Sequence, residues 1–370
     1  MSTVTHTIKE PLLRIAKRDD ISRPRAYAIR IIAVLLSLVV SGIFIFSVTK
    51  LNPVQVYEAM FDGAFGTSRR SWVTVRDAMM LLCIGVGLAP AFKMKFWNIG
   101  AEGQILIGGI VTAGFMRMFG NSMPTPILLI LMAAVSLLAG CIWGVIPAAF
   151  KAYWDTNETL FTLMMNYVAI QLTSYCVSLW ENPVGSNTVG VINQQTQGGW
   201  FPVLFHQPYA LNVILVLTLT VGMFLYLKYS KQGYEITVVG DSVNTARYAG
   251  INVKKVTIRT MAISGAICGL AGYIAVAGAS HTISASTAGG RGFTAIIVAW
   301  LAQFNTFVMI LISFLLVFLQ KGAIQIASQF NLNDYASNII TGIILFFILG
   351  SEFFIHYRMI LRSKKEAETV

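Results

Sequence analysis

Long apolar runs recur along almost the whole chain, and they limit it to folds whose solvent is lipid. A membrane-spanning helix needs about 20 predominantly apolar residues. Nine runs reach that length and a tenth is shorter: 27–49, 73–92, 99–119, 126–150, 160–180, 209–229, 260–279, 292–304 (the short one), 306–327 and 336–356. Only 12% of the residues are charged, against about 25% in soluble domains. The predicted fold class is therefore an all-α integral membrane protein with about ten transmembrane helices, one of them short or broken.

Lysine and arginine cluster in both tails of the chain, which predicts how it is oriented. Because cytoplasmic segments carry an excess of these residues, both termini are predicted to be cytoplasmic, and an even number of crossings follows. The predicted organisation is a cytoplasmic N-terminal tail (1–26), a transmembrane domain (27–356) with one large cytoplasmic loop (229–259), and a cytoplasmic C-terminal tail (357–370).

The net charge of +11 does not indicate nucleic-acid binding, because the basic residues sit at the ends of apolar runs and form no continuous face. The cysteines all lie inside apolar runs, so we expect neither disulfides nor a C-x-x-C metal site. The histidines are scattered without ligand spacing. No metal site is predicted.

The first group of polar residues at membrane depth lies between the second and third runs. Trp97, Asn98, Glu102 and Gln104 are interleaved with small residues just before an apolar stretch. Non-helical backbone at this depth is tolerated only where protein or a water-filled cavity satisfies it. We expect the segment to line a cavity or to pack as a broken helix, and the alternative is a plain loop at the cytoplasmic boundary.

A second polar group opens the fifth run. Asn157 and Glu158 lie at its predicted cytoplasmic end, and Thr162 and Asn166 follow four residues apart, so they share one face of a helix. Asn166 is well inside the apolar run, where an amide either bonds across helices or faces a solute path. Both alternatives remain open at this point.

A third polar group is rich in serine, threonine and glycine and precedes the short run. It includes three glycines around Arg291, followed by Phe293. A short apolar helix after such a stretch is typical of the discontinuous helices that transporters place around binding sites. Arg291 and Phe293 are therefore candidate pathway or packing residues.

The cytoplasmic loop is predicted to contain a short helix, capped by Asp241 or Ser242 and ending near Gly250. Val243 and Ala246 would share one side of it with Ala249. A short exposed helix between two spans is either a docking element for a partner or an ordinary surface linker. The pattern alone does not separate these alternatives.

Motifs for chemistry are missing from the sequence. It contains no G-x-x-x-x-G-K-[ST] loop to hold nucleotide and no hydrolase, zinc-protease or kinase signature. No catalytic residue is predicted, and the chain is expected not to be an enzyme.

Four segments, in chain order, resemble one family. FWNIGAEGQ (96–104), NE followed by TLMMNY (157–167), the stretch 240–251 and GRGF followed by AIIVA (290–299) are similar to the permease subunits of bacterial ABC importers for nucleosides and simple sugars. That group is related to the ribose-type and branched-chain amino-acid permeases. Trp300 and the residues Gln303 to Asn305 depart from the family pattern.

The resemblance implies a multi-pass transport subunit in the bacterial cytoplasmic (inner) membrane, surrounded by lipid. It implies a second homologous permease, cytoplasmic ABC ATPase subunits and an external solute-binding lipoprotein. ATP and magnesium would be held by the ATPase, with no cofactor on this chain. The segment that would couple to the ATPase contains Asp241, Val243, Asn244, Ala246, Arg247, Tyr248 and Gly250.

The solute implied is nucleoside-like, with a simple sugar or riboflavin as alternatives. Two functions of other classes compete with this interpretation. They are an ion-coupled secondary transporter, and a membrane scaffold that transports nothing.

Overall fold

The computed structural model describes residues 13–18 and 21–361. Residues 1–12, 19–20 and 362–370, which belong to the two predicted tails, lie outside the described residues.

The described residues form thirteen helices and two short strands. They are β1, Leu13–Lys17; α1, Arg23–Phe44, with a π-helical extension at Ile45–Thr49; α2, Pro53–Phe65; α3, Ser68–Lys93; α4, Ala101–Phe119; α5, Thr125–Trp154; α6, Glu158–Trp180; α7, Ala210–Tyr229; α8, Lys231–Asp241; α9, Val243–Tyr248; α10, Val253–Ala275, with a π-helical extension at Val276–Ser280; α11, Arg291–Leu301; α12, Thr306–Gln329; α13, Asp334–His356; and β2, Tyr357–Leu361.

The predicted class of all-α integral membrane protein is confirmed, and each of the ten apolar runs falls on a helix. Within the described residues, eight helices are long and apolar enough to cross a membrane. The other two runs correspond to α4, whose first turn carries Glu102 and Gln104, and to α11, which has 11 residues. That these two also cross remains a prediction.

The chain divides into two compact units, and the first consists of the described residues up to Gly63 and from Leu319 onward. In it, α1 packs against α13, and the Arg30 guanidinium lies 2.8 Å from the Glu352 carboxylate. The Tyr57 hydroxyl of α2 donates to the carbonyl of Leu38 on α1 at 2.6 Å.

The two strands were not predicted, and they constrain the topology of the membrane domain. β1 pairs antiparallel with β2, with Leu13 opposite Leu361 and Lys17 opposite Tyr357. β1 precedes α1 and β2 follows α13, so the pairing brings the two ends of this stretch of helices together. An even number of crossings, with both ends in the cytoplasm, remains a prediction from the distribution of charge.

The second unit, Ala64–Phe318, has α3 and α10 at its centre. In the most apolar stretch of α3, 89% of the residues are buried, whereas the corresponding share is 22% in α5 and 28% in α6. Apolar side chains that stay exposed on outer helices are suited to lipid contact. The unit is therefore a bundle in which α3 and α10 are enclosed by other helices.

Glycines allow α5 and α10 to approach at backbone distance. Gly140 and Gly144 on α5 face Gly265 and Gly269 on α10, and a Cβ added at Gly269 would lie 2.9 Å from the Gly140 Cα. The Ser136 hydroxyl donates to the carbonyl of Gly269 at 2.6 Å. Small residues spaced four apart are how membrane helices pack closely without a hydrophobic driving force.

Candidate functional site

The chain turns sharply between α3 and α4, and the Asn98 side chain holds this turn together. Asn98 is fully buried. Its Oδ1 accepts from the Gly100 N–H at 3.0 Å, and its Nδ2 donates to Gln104 at 3.4 Å and to the Ser264 hydroxyl at 3.3 Å. Asn98 and Gln104, both predicted site residues, are thus bonded to the protein itself.

Two side chains of α6 bond the backbone of this turn and of the first turn of α4. Asn166 accepts from the Gly103 N–H at 2.8 Å and donates to the Ile99 carbonyl at 2.9 Å. The Thr162 hydroxyl accepts from the Ile99 N–H at 3.2 Å. Asn166 therefore bonds across helices, which is one of the two alternatives that its position in the sequence left open.

Glu102 binds the N-terminus of α11. Its two carboxylate oxygens accept from the N–H groups of Gly290 at 2.6 Å and Gly292 at 2.8 Å. A negative group is stabilised there by unpaired N–H groups and by the helix dipole. A Cβ at Gly292 would lie 2.5 Å from the Glu102 nitrogen, so only glycine fits this contact.

The N-terminus of α11 lies part-way along α3, one of the candidate membrane spans. α11 runs along α3 in the same direction: Arg291, at its start, lies 3.9 Å from Asp77, and Trp300, near its end, meets Phe92 in the last turns of α3. Eleven residues of helix rise about 16 Å, roughly half of a 30 Å hydrocarbon core. Beside a spanning α3, α11 is long enough for about half of the crossing, and we call it a half-helix; its N-terminus would then lie near the membrane centre.

The charges around this half-helix balance. Asp77 pairs with Arg76 at 2.8 Å and lies 3.9 Å from Arg291. With Glu102, the group contains two carboxylates and two guanidiniums. Ion pairs of this kind are how charged side chains persist at membrane depth.

The two aromatic candidates lie near opposite ends of α11, with Trp97 beside its last turn and Phe293 in its first turn. Trp97 stacks on Trp300 with ring centroids 5.3 Å apart and is 44% exposed. Phe293 is 45% exposed on α11. Trp97 and Phe293 thus present large surfaces outward from the described chain, whereas the polar candidates of the turn are buried.

The segment between α10 and α11 has no regular secondary structure. At its start, the His281 carbonyl accepts from the Ile192 N–H at 2.9 Å, and its ring stacks on Trp200 at 3.7 Å. At its end, Gly290 is bound by Glu102. The sequence analysis did not predict the contacts of His281, because its partners lie in a distant loop.

The loop that is predicted to be cytoplasmic contains two short helices, α8 and α9. α9 matches the predicted short helix, and of the two predicted caps it is Ser242 whose hydroxyl accepts from the Thr245 N–H at 3.2 Å. Val243, Ala246 and Ala249 were predicted to share one side of this helix, and among these three residues only Ala246 is buried. The other predicted coupling residues are exposed: Asp241, Val243, Asn244, Arg247, Tyr248 and Gly250.

A cavity of about 930 Å³ lies beneath this loop and reaches the turn before α4. Among its lining residues are Lys95, Lys151, Asp155 and Glu158. The Lys151 ammonium contacts Asp155 at 2.8 Å and Glu158 at 3.1 Å, and it lowers the pKa of the Asp155 carboxyl. Asn157 caps α6 by accepting from the Leu160 N–H at 3.0 Å.

The side chains of the described residues were compared with the requirements of a metal-binding site. Within residues 13–18 and 21–361, no group of three histidine, cysteine, aspartate or glutamate residues is placed to hold a metal ion. All four cysteines are free thiols: Cys83, Cys141, Cys176 and Cys268.

Comparison with known proteins identifies the family. Residues 73–349 match the family described as branched-chain amino acid transport system / permease component. The chain belongs to this permease family. No solved structure matches the chain.

Curated relatives of the permease are transport subunits. A glucose ABC transporter permease protein of Haloferax volcanii is 29% identical over 94% of this chain and 93% of its own length. The guanosine ABC transporter permease protein NupP of Bacillus subtilis is 29% identical over 87% of this chain and 92% of its own. A second Bacillus subtilis protein with the same description, NupQ, is 27% identical over 60% of this chain and 72% of its own.

The permease is therefore the membrane subunit of an ABC importer and a multi-pass inner-membrane protein, as the sequence analysis predicted. It is a transport subunit and not an enzyme, since ATP hydrolysis in such importers is carried out by separate ATPase subunits. Membership also implies ATPase and solute-binding partners. Neither the ion-coupled transporter nor the scaffold is supported by these relatives.

Proposed function

We propose that this permease imports a neutral, hydroxyl-bearing solute of nucleoside type, together with a second homologous permease. The observation that carries the proposal is the contact between Glu102 and the N-terminus of α11. It bears on which solutes can be accommodated near the membrane centre.

A free half-helix N-terminus in a transporter attracts anionic groups of the solute. Here the two oxygens of the Glu102 carboxylate already accept hydrogen bonds from the N–H groups of Gly290 and Gly292. A solute carboxylate approaching the same end would meet a like charge at short range and low dielectric, which is unfavourable. The balanced charge of the surrounding group also favours an uncharged solute.

The names of the relatives are consistent with this class. NupP is named for guanosine, and the Haloferax volcanii relative is named for glucose. A simple sugar is the second candidate, because the relative named for glucose matches over 94% of this chain. Riboflavin, also neutral, remains a further alternative.

Two relatives described as guanosine permeases of Bacillus subtilis support pairing with a distinct homologous subunit. Cytoplasmic ATPases, which would hold ATP and magnesium, are proposed to bind α9. Its exposed side chains, including Tyr248 at 93% exposure, support a docking role. An external lipoprotein would deliver the solute to the opposite face. Closure of the ATPases would then move α9 and switch the pathway between outward-facing and inward-facing states.

Uptake by proteoliposomes tests this proposal. The vesicles would hold the permease with its co-purifying subunits and binding protein, and the labelled solutes would be adenosine, guanosine, uridine, ribose, riboflavin and leucine. We expect ATP-dependent uptake of a nucleoside and none of leucine, which carries a carboxylate. Uptake of leucine alone would refute the argument from Glu102, and uptake without ATP would refute the ATPase coupling.

A further inference from the structure

The unwound segment 281–290 runs through the membrane beside α4. Its Ile283 side chain lies against Gly109, where an added Cβ would be 3.0 Å from it, and Gly290 is bonded to Glu102. Residues 283 to 290 of the segment therefore run alongside residues 109 to 102 of α4, in the opposite chain direction. These seven helical steps of α4 correspond to about 10 Å along its axis. This stretch lies between the outer end of α10 and the half-helix that starts near the membrane centre.

The segment has a buried side and an exposed side. Ile283 and Ala288 are buried, at 1% and 0% exposure. Ala285, Ser286 and Gly289 are exposed. Open space surrounds this edge, since a Cβ added at Gly290 would meet no atom within 4 Å.

The exposed side carries polar groups that the described chain does not satisfy. Within the residues that the structure describes, no hydrogen-bond acceptor is found for the N–H groups of Ala285, Ser286 and Gly289 on this side, nor for those of Thr282, Ile283 and Ala288. Beside them, the Ser284 hydroxyl lies 3.0 Å from that of Ser286 and 3.3 Å from that of Thr287. Unpaired backbone groups at membrane depth do not face lipid, because each would cost several kcal/mol there.

We infer that segment 281–290 forms a wall of the solute pathway and that the Ser284 and Ser286 hydroxyls bind hydroxyl or amide groups of a neutral solute. A hydroxyl both donates and accepts a hydrogen bond and carries no charge. This cluster therefore matches a ribose or the edge of a base. The inference rests on the proposed function for the kind of solute, but the position of the wall does not depend on it.

Labelling of Ser286→Cys in the assembled transporter tests the inference. The four native cysteines are first replaced by alanine, and the complex in lipid is treated with a membrane-impermeant methanethiosulfonate ammonium reagent. The matched control is Leu138→Cys on α5, which is 59% exposed and two residues from Ser136, whose hydroxyl bonds Gly269 at a similar depth. A thiol in lipid does not form the reactive thiolate, so we expect Ser286→Cys to react at least roughly tenfold faster.

We further expect modification at position 286 to block uptake and saturating solute to slow the modification. Equal labelling rates for Ser286→Cys and Leu138→Cys, or full uptake after modification, would overturn the inference. If Ser286→Cys does not assemble, Ala285→Cys on the same exposed side takes its place with the same expectations.

The solute-binding role has a separate readout. Ser286→Ala should raise the KM for the transported solute several-fold while leaving complex assembly unchanged, and an unchanged KM would overturn that role. Fast labelling combined with uptake of a charged solute would support segment 281–290 as a pathway wall and refute the proposed neutral solute. Slow labelling combined with nucleoside uptake would refute the wall and support the proposed solute.

Discussion

Replacing Glu102 with glutamine is the sharpest test of how the half-helix α11 is held. The carboxylate accepts from two N–H groups, at 2.6 and 2.8 Å, and the residue is 8% exposed. Glutamine keeps one accepting oxygen but turns an NH₂ group, itself a donor, toward the other N–H. One buried donor is left unpaired, and the negative charge at the helix N-terminus is lost.

The magnitude follows from these two losses. An unpaired buried N–H costs about 1–3 kcal/mol, and removing the charge adds about 0.5–2 kcal/mol, which gives about 1.5–5 kcal/mol in total. For a chain of this size, each kcal/mol shifts the melting temperature by about 2 °C. Glu102→Gln should therefore lower the melting temperature of the purified complex by about 3–10 °C.

The chain offers a matched control in Glu181→Gln. The Glu181 carboxylate also accepts from two backbone N–H groups, those of Gly185 at 2.8 Å and Asn187 at 3.1 Å, but both bonds are exposed. Water can replace the lost acceptor there, so the melting temperature should change by no more than about 2 °C. If the melting temperature of Glu102→Gln equals that of Glu181→Gln and Glu102→Gln transports normally, then the Glu102 carboxylate does not hold α11 in place.

Three further changes test other parts of the structure. Gly269→Ala places a Cβ 2.9 Å from backbone of α5 and should destabilise by about 1–3 kcal/mol, whereas Gly222→Ala on α7, with no atom within 4 Å, should leave the melting temperature unchanged. Asn166→Ala removes both hydrogen bonds to the turn before α4 and should cost about 2–4 kcal/mol, measured in the same melting assay. Tyr248→Ala on α9 should abolish solute-stimulated ATP hydrolysis without changing the melting temperature. Tyr234 is 65% exposed on α8, and the control variant Tyr234→Ala should retain solute-stimulated ATP hydrolysis. Equal ATPase activity of the two variants would refute docking through Tyr248.

Local patterns predicted much of the fold because they depend on neighbours in sequence. The apolar runs became helices, and Ser242, three residues before the N–H that it caps, lies where a cap was predicted. α2 was missed because its 13 residues are too few to signal a span. The paired strands were missed because their partners are separated by almost the whole chain.

The candidate site shows the same limit. The polar residues around Glu102 were recognisable as unusual at membrane depth, but their roles depend on residues far away in sequence. Glu102 and Gly290 are 188 positions apart, and Asn166 meets a turn more than 60 residues earlier. Composition and spacing carry no information about such pairs, so a pathway role and a packing role could not be separated from the sequence.

The pairing of β1 with β2 has a consequence for how the protein is made. β1 precedes α1 to α13 in the chain and β2 follows them, so during synthesis the strand edge of β1 stays without its partner while these helices insert. The two-stranded sheet thus closes only after β2 has been made. A chain that stops before Tyr357 would keep its membrane helices yet present an open edge to any strand in its surroundings.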